Sequence, residues 1–239
     1  MSPPAPNAAA VRWHGVANAA ALRDAACRRI LVAAADAIQQ RGRFTIVLAG
    51  GNTPQGVYRM LRGADTDWSG WQVYFGDERC LPTIDPERNS RMAAEAWLDH
   101  VAIPKSQVHT LPAERGARAA AQAYANTLRH VGNFDLVLLG LGEDGHTASL
   151  FPDHDWGADA DAADTLAVFD APKPPAQRVS LSARRLSRAR AVLFLVTGEA
   201  KHDAVTLWRA GADIPAHAIQ PQAGVDVLTE ASLLATETG

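Results

Sequence analysis

The chain of 239 residues has little cysteine: Cys27 and Cys80 stand far apart and in no metal-ligand pattern. That argues against a disulfide scaffold and for reduced thiols in a reducing compartment. No apolar run approaches the roughly 18 residues that a membrane span needs. The opening "MSPPAPNAAAVRWHG" has no charged region followed by an apolar one, so it does not read as a signal peptide and a cytoplasmic location is expected. Excess charge of either sign is also missing. The net charge is −3, which points away from nucleic acid and anionic membranes, so an anionic ligand would have to be met by local cations. No His-x-x-x-His or Cys/His spacing suggests zinc. The Gly-Lys-Ser/Thr ending of a Walker A loop is missing, and so is the Gly-x-Ser-x-Gly of a nucleophilic serine. "GLGEDGH" is set aside as a dinucleotide-binding loop.

What is present suits a globular enzyme: 47% hydrophobic and 21% charged residues. Residues 19–40 have apolar positions at Leu22, Ala26, Ile30 and Ile38 and predict an amphipathic helix ended by Gly42. Further helices are expected after Pro54 and over 88–101, 117–131 and 199–211. The apolar runs 44–51, 71–79, 134–142, 178–182 and 189–198 read as strands. Strands alternating with helices, the central ones apolar throughout, predict an α/β fold: a mostly parallel sheet covered on both faces. A single domain over 1–239 is expected. Its first 11 residues form a loose lead-in, and 153–177 form a loop-rich insertion holding one strand at "TLAVF".

Three polar segments fall at the carboxyl ends of predicted strands, where open parallel sheets bind ligands. "GGNTP", from Gly50 to Pro54, offers backbone N–H groups at a helix start. It reads either as an anion site or as a tight turn with Thr53 as cap and Pro54 at the first helical position. "GDER" places Asp77, Glu78 and Arg79 together. Arg79 is either a structural ion pair or a contact for an anionic substrate. "GEDGH" sets His146 two residues after Asp144. Imidazole titrates near working pH, and an adjacent carboxylate can fix its tautomer, so this histidine is the candidate catalytic group. The other seven histidines lack that setting. Arg178 and Lys201 lie near strand ends as well, either as solvated surface cations or as anion ligands.

The segments "LAGGNTP", "FGDERCLPTIDPERNSRMA", "FDLVLLGLGEDGHTASLFP" and "VLFLVTGEAKHDAV" resemble, in order, the motifs of the 6-phosphogluconolactonase family. The resemblance spans roughly residues 12 to 215. It implies a NagB/RpiA-like fold, a three-layer doubly wound sheet. It also implies hydrolysis of a 6-phosphoglucono-lactone to 6-phosphogluconate in the oxidative pentose phosphate pathway, without metal or cofactor. By the same resemblance, His146 would be the general base with Asp144 beside it. Gly50, Gly51, Asn52, Thr53, Asp77, Arg79, Arg178 and Lys201 would form the substrate and phosphate set. The chain reads Asn52 where the family usually has serine. Its C-terminal "IQPQAGVDVLTEASLL" lacks the tryptophan-and-aspartate pattern common there. A monomer or small homo-oligomer acting on a small sugar-phosphate lactone is expected, with no nucleic-acid or membrane partner. Two rivals remain. A glucosamine-6-phosphate isomerase/deaminase would release ammonia from its substrate, but its block continues as HIAFNEP where this chain has HTASLFP. A sugar-phosphate-sensing domain of a regulator would carry a basic helix-turn-helix, and none is seen here.

Overall fold

The computed structural model describes residues 10–235. Most of the lead-in therefore lies outside the described residues, and its last residue, Val11, opens a strand. Ten strands are formed: β1 (Val11–Val16), β2 (Phe44–Leu48), β3 (Trp71–Phe75), β4 (Asp77–Arg79), β5 (Val108–His109), β6 (Phe134–Leu139), β7 (Thr165–Val168), β8 (Arg178–Leu181), β9 (Ala189–Val196) and β10 (Val225–Glu230). The helices are α1 (Ala19–Arg41), α2 (Asn52–Leu61), α3 (Asn89–Ala96), α4 (Ala117–Leu128), α5 (Ala183–Ser187) and α6 (His202–Arg209), with short 3₁₀ turns between them.

Seven strands make one parallel sheet in the order β1-β10-β9-β6-β2-β3-β5. All residues of β2 and β6 are buried, which explains why both are apolar apart from Thr45 and Asp135, which hydrogen-bond to each other. From β2 the chain runs one way to β3 and β5. From β6 it runs the other way to β9 and β10. The switch point therefore lies between β2 and β6, where a doubly wound sheet opens a crevice.

Local signals set the helix positions. Asn18 caps α1 by accepting from the Ala21 N–H at 3.0 Å, and Gly42 ends it at φ 71° with its N–H on the Ile38 carbonyl. Leu22, Ala26 and Ile30 are buried as predicted, and Ala34 and Ala37 extend the stripe. This helix runs along the sheet face that carries Leu136 and Leu193. Trp208 of α6 packs edge-on against Phe194, which the register puts on the other face. Both faces are thus covered.

The predicted strand 71–79 is two strands. Gly76 is the break: its N–H stays with Leu48 O, but its carbonyl accepts from Leu181 N at 2.7 Å. From there β4 joins a separate antiparallel sheet, β4-β8-β7. The insertion does contribute one strand at "TLAVF", β7. Strands β1, β5 and β10 are additions to the strands expected from the sequence. The spacing Gly140, Gly142, Gly145 does satisfy Gly-x-Gly-x-x-Gly, but residues 140–150 form turns and one isolated bridge, not the helix that a dinucleotide loop opens. Among the described residues no helix is long and apolar enough to cross a membrane.

Candidate active site

The chain leaving β2 at Ala49 and the chain leaving β6 at Gly140 flank the switch point. Two adjoining cavities open there, sharing Gly50, Gly140 and Leu141 in their walls.

The smaller, of about 100 Å³, is lined by His146, Asp77, Arg79 and Asn89 among others. His146 Nδ1 lies 2.5 Å from Asp144 Oδ1, and the same oxygen accepts from the His146 backbone N–H. Burial alone would push the Asp144 carboxyl up. The hydrogen bond and charge of His146 outweigh this and hold it below its usual range. An ionised Asp144 fixes the proton on Nδ1 and leaves Nε2 as the basic nitrogen. The turn that brings the two together is tight. Gly142 N–H donates to His146 O at 2.7 Å, and a methyl group on Gly142 would overlap the imidazole and lie 2.5 Å from Asp144 Oδ1. Gly145 takes φ 84°, a left-handed value that favours glycine. Phe151 packs on the far side of the imidazole, with ring centroids 4.8 Å apart.

Asp77 is buried and, among the described residues, has no cation in ion-pair contact. Its Oδ1 accepts from Asn89 Nδ2 at 2.9 Å and its Oδ2 from Ser149 Oγ at 2.6 Å. Glu78, fully buried, does different work: it accepts from the Asn89 and Ser90 N–H groups and so caps α3. The ion pair at this strand end is Arg88 with Glu78 at 3.4 Å, not Arg79. Arg79 donates to the Glu87 carbonyl and lines the same cavity as His146.

The larger cavity, of about 310 Å³, is walled by Gly50, Gly51, Asn52, Thr53, Thr197 and Lys201. Thr53 is not the cap of α2. Gly51 holds that place at φ 101° and has no side chain to donate to, so the first N–H groups of the helix have no side-chain cap. The Thr53 hydroxyl instead shares a 2.7 Å hydrogen bond with Thr197. Lys201 sits in the 3₁₀ turn before α6, and its Nζ is 3.8 Å from Glu143 Oε1 across the cleft mouth.

Arg178 lines neither cavity. It is the cross-strand partner of Arg79, but its guanidinium donates to the carbonyls of Lys173, Pro174 and Pro175 and lies over Phe151 at 5.4 Å. Burial lowers its pKa. It braces the insertion loop and the ring behind His146 rather than the larger cavity. Asn89, Ser149, Thr197 and Glu143 belong to the site and were not singled out from the sequence as ligands or braces. All four lie inside the quoted motifs, which is the available signal. Among the described residues no cluster of three or more His, Cys, Asp or Glu could hold a metal ion.

Residues 17–228 match the family described as glucosamine-6-phosphate isomerases/6-phosphogluconolactonase. The chain is 38% identical over 227 residues to a 6-phosphogluconolactonase of Mycobacterium leprae, covering 89% of this chain and 91% of that protein. It is 41% identical over 199 residues to a 6-phosphogluconolactonase of Synechocystis, covering 78% and 81%. The three-dimensional structure of 6-phosphogluconolactonase from Trypanosoma brucei superposes with a TM-score of 0.84 at 28% identity, covering 94% of this chain and 98% of that one. The cleft at the switch point, the ordered motifs and these likenesses agree: this chain belongs to the glucosamine-6-phosphate isomerase/6-phosphogluconolactonase family.

Proposed function

We propose that this protein hydrolyses 6-phosphoglucono-1,5-lactone to 6-phosphogluconate, with His146 as general base. The protein is a lactone-hydrolysing carboxylic ester hydrolase of its family. The observation that carries the finer reading is the 2.5 Å His146–Asp144 pair facing one cavity, with an uncapped helix start and Lys201 in the adjoining one.

A δ-lactone is an activated ester, so water and a base suffice to open it. His146 Nε2 takes a proton from water as the water oxygen bonds to the lactone carbonyl carbon. Asp144 accepts from Nδ1 and stabilises the imidazolium that forms. The carbonyl oxygen becomes an oxyanion, and Arg79 supplies positive charge in that cavity. The tetrahedral centre then expels the ring oxygen, which takes the proton back from imidazolium. The phosphate is placed in the larger cavity, on the N–H groups of Gly51, Asn52 and Thr53 and on Lys201. The Asn52 amide can donate where a serine hydroxyl would. Asp77, held by Asn89 and Ser149, is a fixed acceptor for a sugar hydroxyl.

The test is a coupled assay of lactone loss, corrected for spontaneous hydrolysis, run beside an ammonia assay with glucosamine 6-phosphate. Lactone loss above background with no ammonia supports the proposal. Ammonia release without lactone hydrolysis would replace it with the deaminase reading.

A further inference from the structure

The amino ends of β2, β3, β6 and β9, opposite the catalytic cleft, surround another cavity, of about 410 Å³. Arg41, Arg43, Arg190 and His130 line it, and among the described residues Asp135 is the sole carboxylate in its walls. That carboxylate cannot neutralise them. It is buried, its Oδ2 accepts from the Thr45 N–H and hydroxyl at 2.8 and 2.9 Å, and its Oδ1 meets Arg41 at 2.9 Å and Arg190 at 3.4 Å. Arg43 forms no ion pair among the described residues.

More positive charge stands behind the wall. Arg185 is fully buried, lies 4.0 Å over the Phe134 ring, and donates to the carbonyls of Val131 and Gly132, two residues of the cavity wall. Its Nη1 has no hydrogen-bond partner. Its carboxylate, Asp164, is shared with Arg184 and Arg188. Burial pushes Arg185 down to about 10, so it is still a cation at neutral pH. Five arginines thus share two aspartates at this end of a chain whose net charge is −3, and Arg43 stands beside them unpaired among the described residues. Arginines that only shielded Asp135 would not need Arg43, which the carboxylate does not reach.

We propose that this cavity binds a small multivalent oxyanion, a phosphate ester or polycarboxylate, with Arg43 as the principal ligand and Arg41 and Arg190 beside it. Guanidinium forks match both phosphate and carboxylate oxygens. The volume falls within the roughly 300–1,000 Å³ usual for small-molecule sites. The Gln72 and Asn133 amides in the wall supply neutral donors for the rest of such a ligand.

The test is calorimetric titration of the whole chain with pyrophosphate and, separately, with citrate, each against sodium chloride of matched ionic strength. The two probes separate phosphate from carboxylate. Wild type should bind at least one probe saturably, and Lys201→Ala should retain that saturable binding, because Lys201 lies in the other cleft. Arg43→Ala and Arg43→Gln should each weaken that binding about tenfold or more, the worth of one charge-assisted pair. Arg43 is exposed, so both variants should fold and keep their lactonase rate. The proposal is overturned if neither probe gives saturable heat above the chloride control, if the Arg43 variants bind as tightly as wild type, or if binding vanishes in Lys201→Ala.

Discussion

Replacing Gly142 by alanine perturbs the catalytic pair without touching either member. Gly142 is not in the left-handed backbone region, so the change is steric alone. The new methyl would overlap His146 Nδ1 and lie 2.5 Å from Asp144 Oδ1, where ordinary contacts begin at 3.4 Å. The carboxylate oxygen must retreat by about 1 Å and the imidazole by more, and a misplacement of that size costs about 10²-fold in rate. The loss is bounded by that of removing the base outright, about 10²–10⁴-fold. Steady-state kinetics on the phosphorylated lactone should therefore show kcat down by about 10² with KM little changed, because Gly142 lines neither cavity. The double variant Gly142→Ala/His146→Ala should be no slower than His146→Ala, since both act on one unit. A Gly142→Ala enzyme with wild-type kcat, or a double variant whose losses multiply, would refute the reasoning.

Other consequences are as direct. His146 serves as a base only when neutral, so kcat/KM should fall on the acid side. Asp144→Asn should lower kcat by about 10²–10⁴-fold, because the carboxylate that fixes the tautomer and stabilises imidazolium is gone; an unchanged kcat contradicts the pairing. Lys201→Ala should lose about 30-fold or more in kcat/KM, a buried or partly buried charge pair being worth about 2–5 kcal/mol. On glucono-δ-lactone without phosphate it should behave like wild type. Arg178→Ala should lower thermal stability and slow both substrates alike, since it holds a loop and Phe151; a loss confined to the phosphorylated lactone would place it at the phosphate. Asp226 joins β10 to β1 through Arg12 at 2.7 Å and His14 at 2.6 Å. Burial raises its carboxyl, but these partners outweigh that and hold it down to about 2. A depressed carboxyl stabilises the fold above its unfolded value near pH 4 and loses that contribution as pH falls toward 2. Asp226→Asn should thus cost about 1 kcal/mol at neutral pH, discounted for partial exposure, and nothing near pH 2, as denaturant midpoints would show.

The core of the fold is legible because β2, β6 and β9 are buried over most of their length and are almost wholly apolar, the polar residues Thr45, Asp135 and Arg190 lying near their amino ends. β1 was missed because it is an edge strand with polar and exposed positions, and β10 because its alternating "VDVLTE" lies in a segment read only for site motifs. Residues 71–79 read as one strand because a single glycine gives no sign that its carbonyl will pair with Leu181 in another sheet. The roles within "GDER" depend on residues about ten positions on: Glu78 is a helix cap and Asp77 is held by Asn89. The His146–Asp144 pair could be read because both members share one turn. The placement of Arg178 could not, since it depends on how the proline-rich segment folds back. The cavity of arginines is assembled from residues 41, 43, 130, 135 and 190, a spacing with no local pattern.

The central claim is that His146, oriented by Asp144, activates water against a phosphorylated lactone. The most direct measurement is the initial rate of 6-phosphoglucono-1,5-lactone hydrolysis, corrected for spontaneous opening, for wild type and for a folded His146→Ala variant. The account predicts a wild-type rate well above background and a variant kcat lower by about 10²–10⁴-fold. A folded His146→Ala enzyme turning over at the wild-type rate would contradict it.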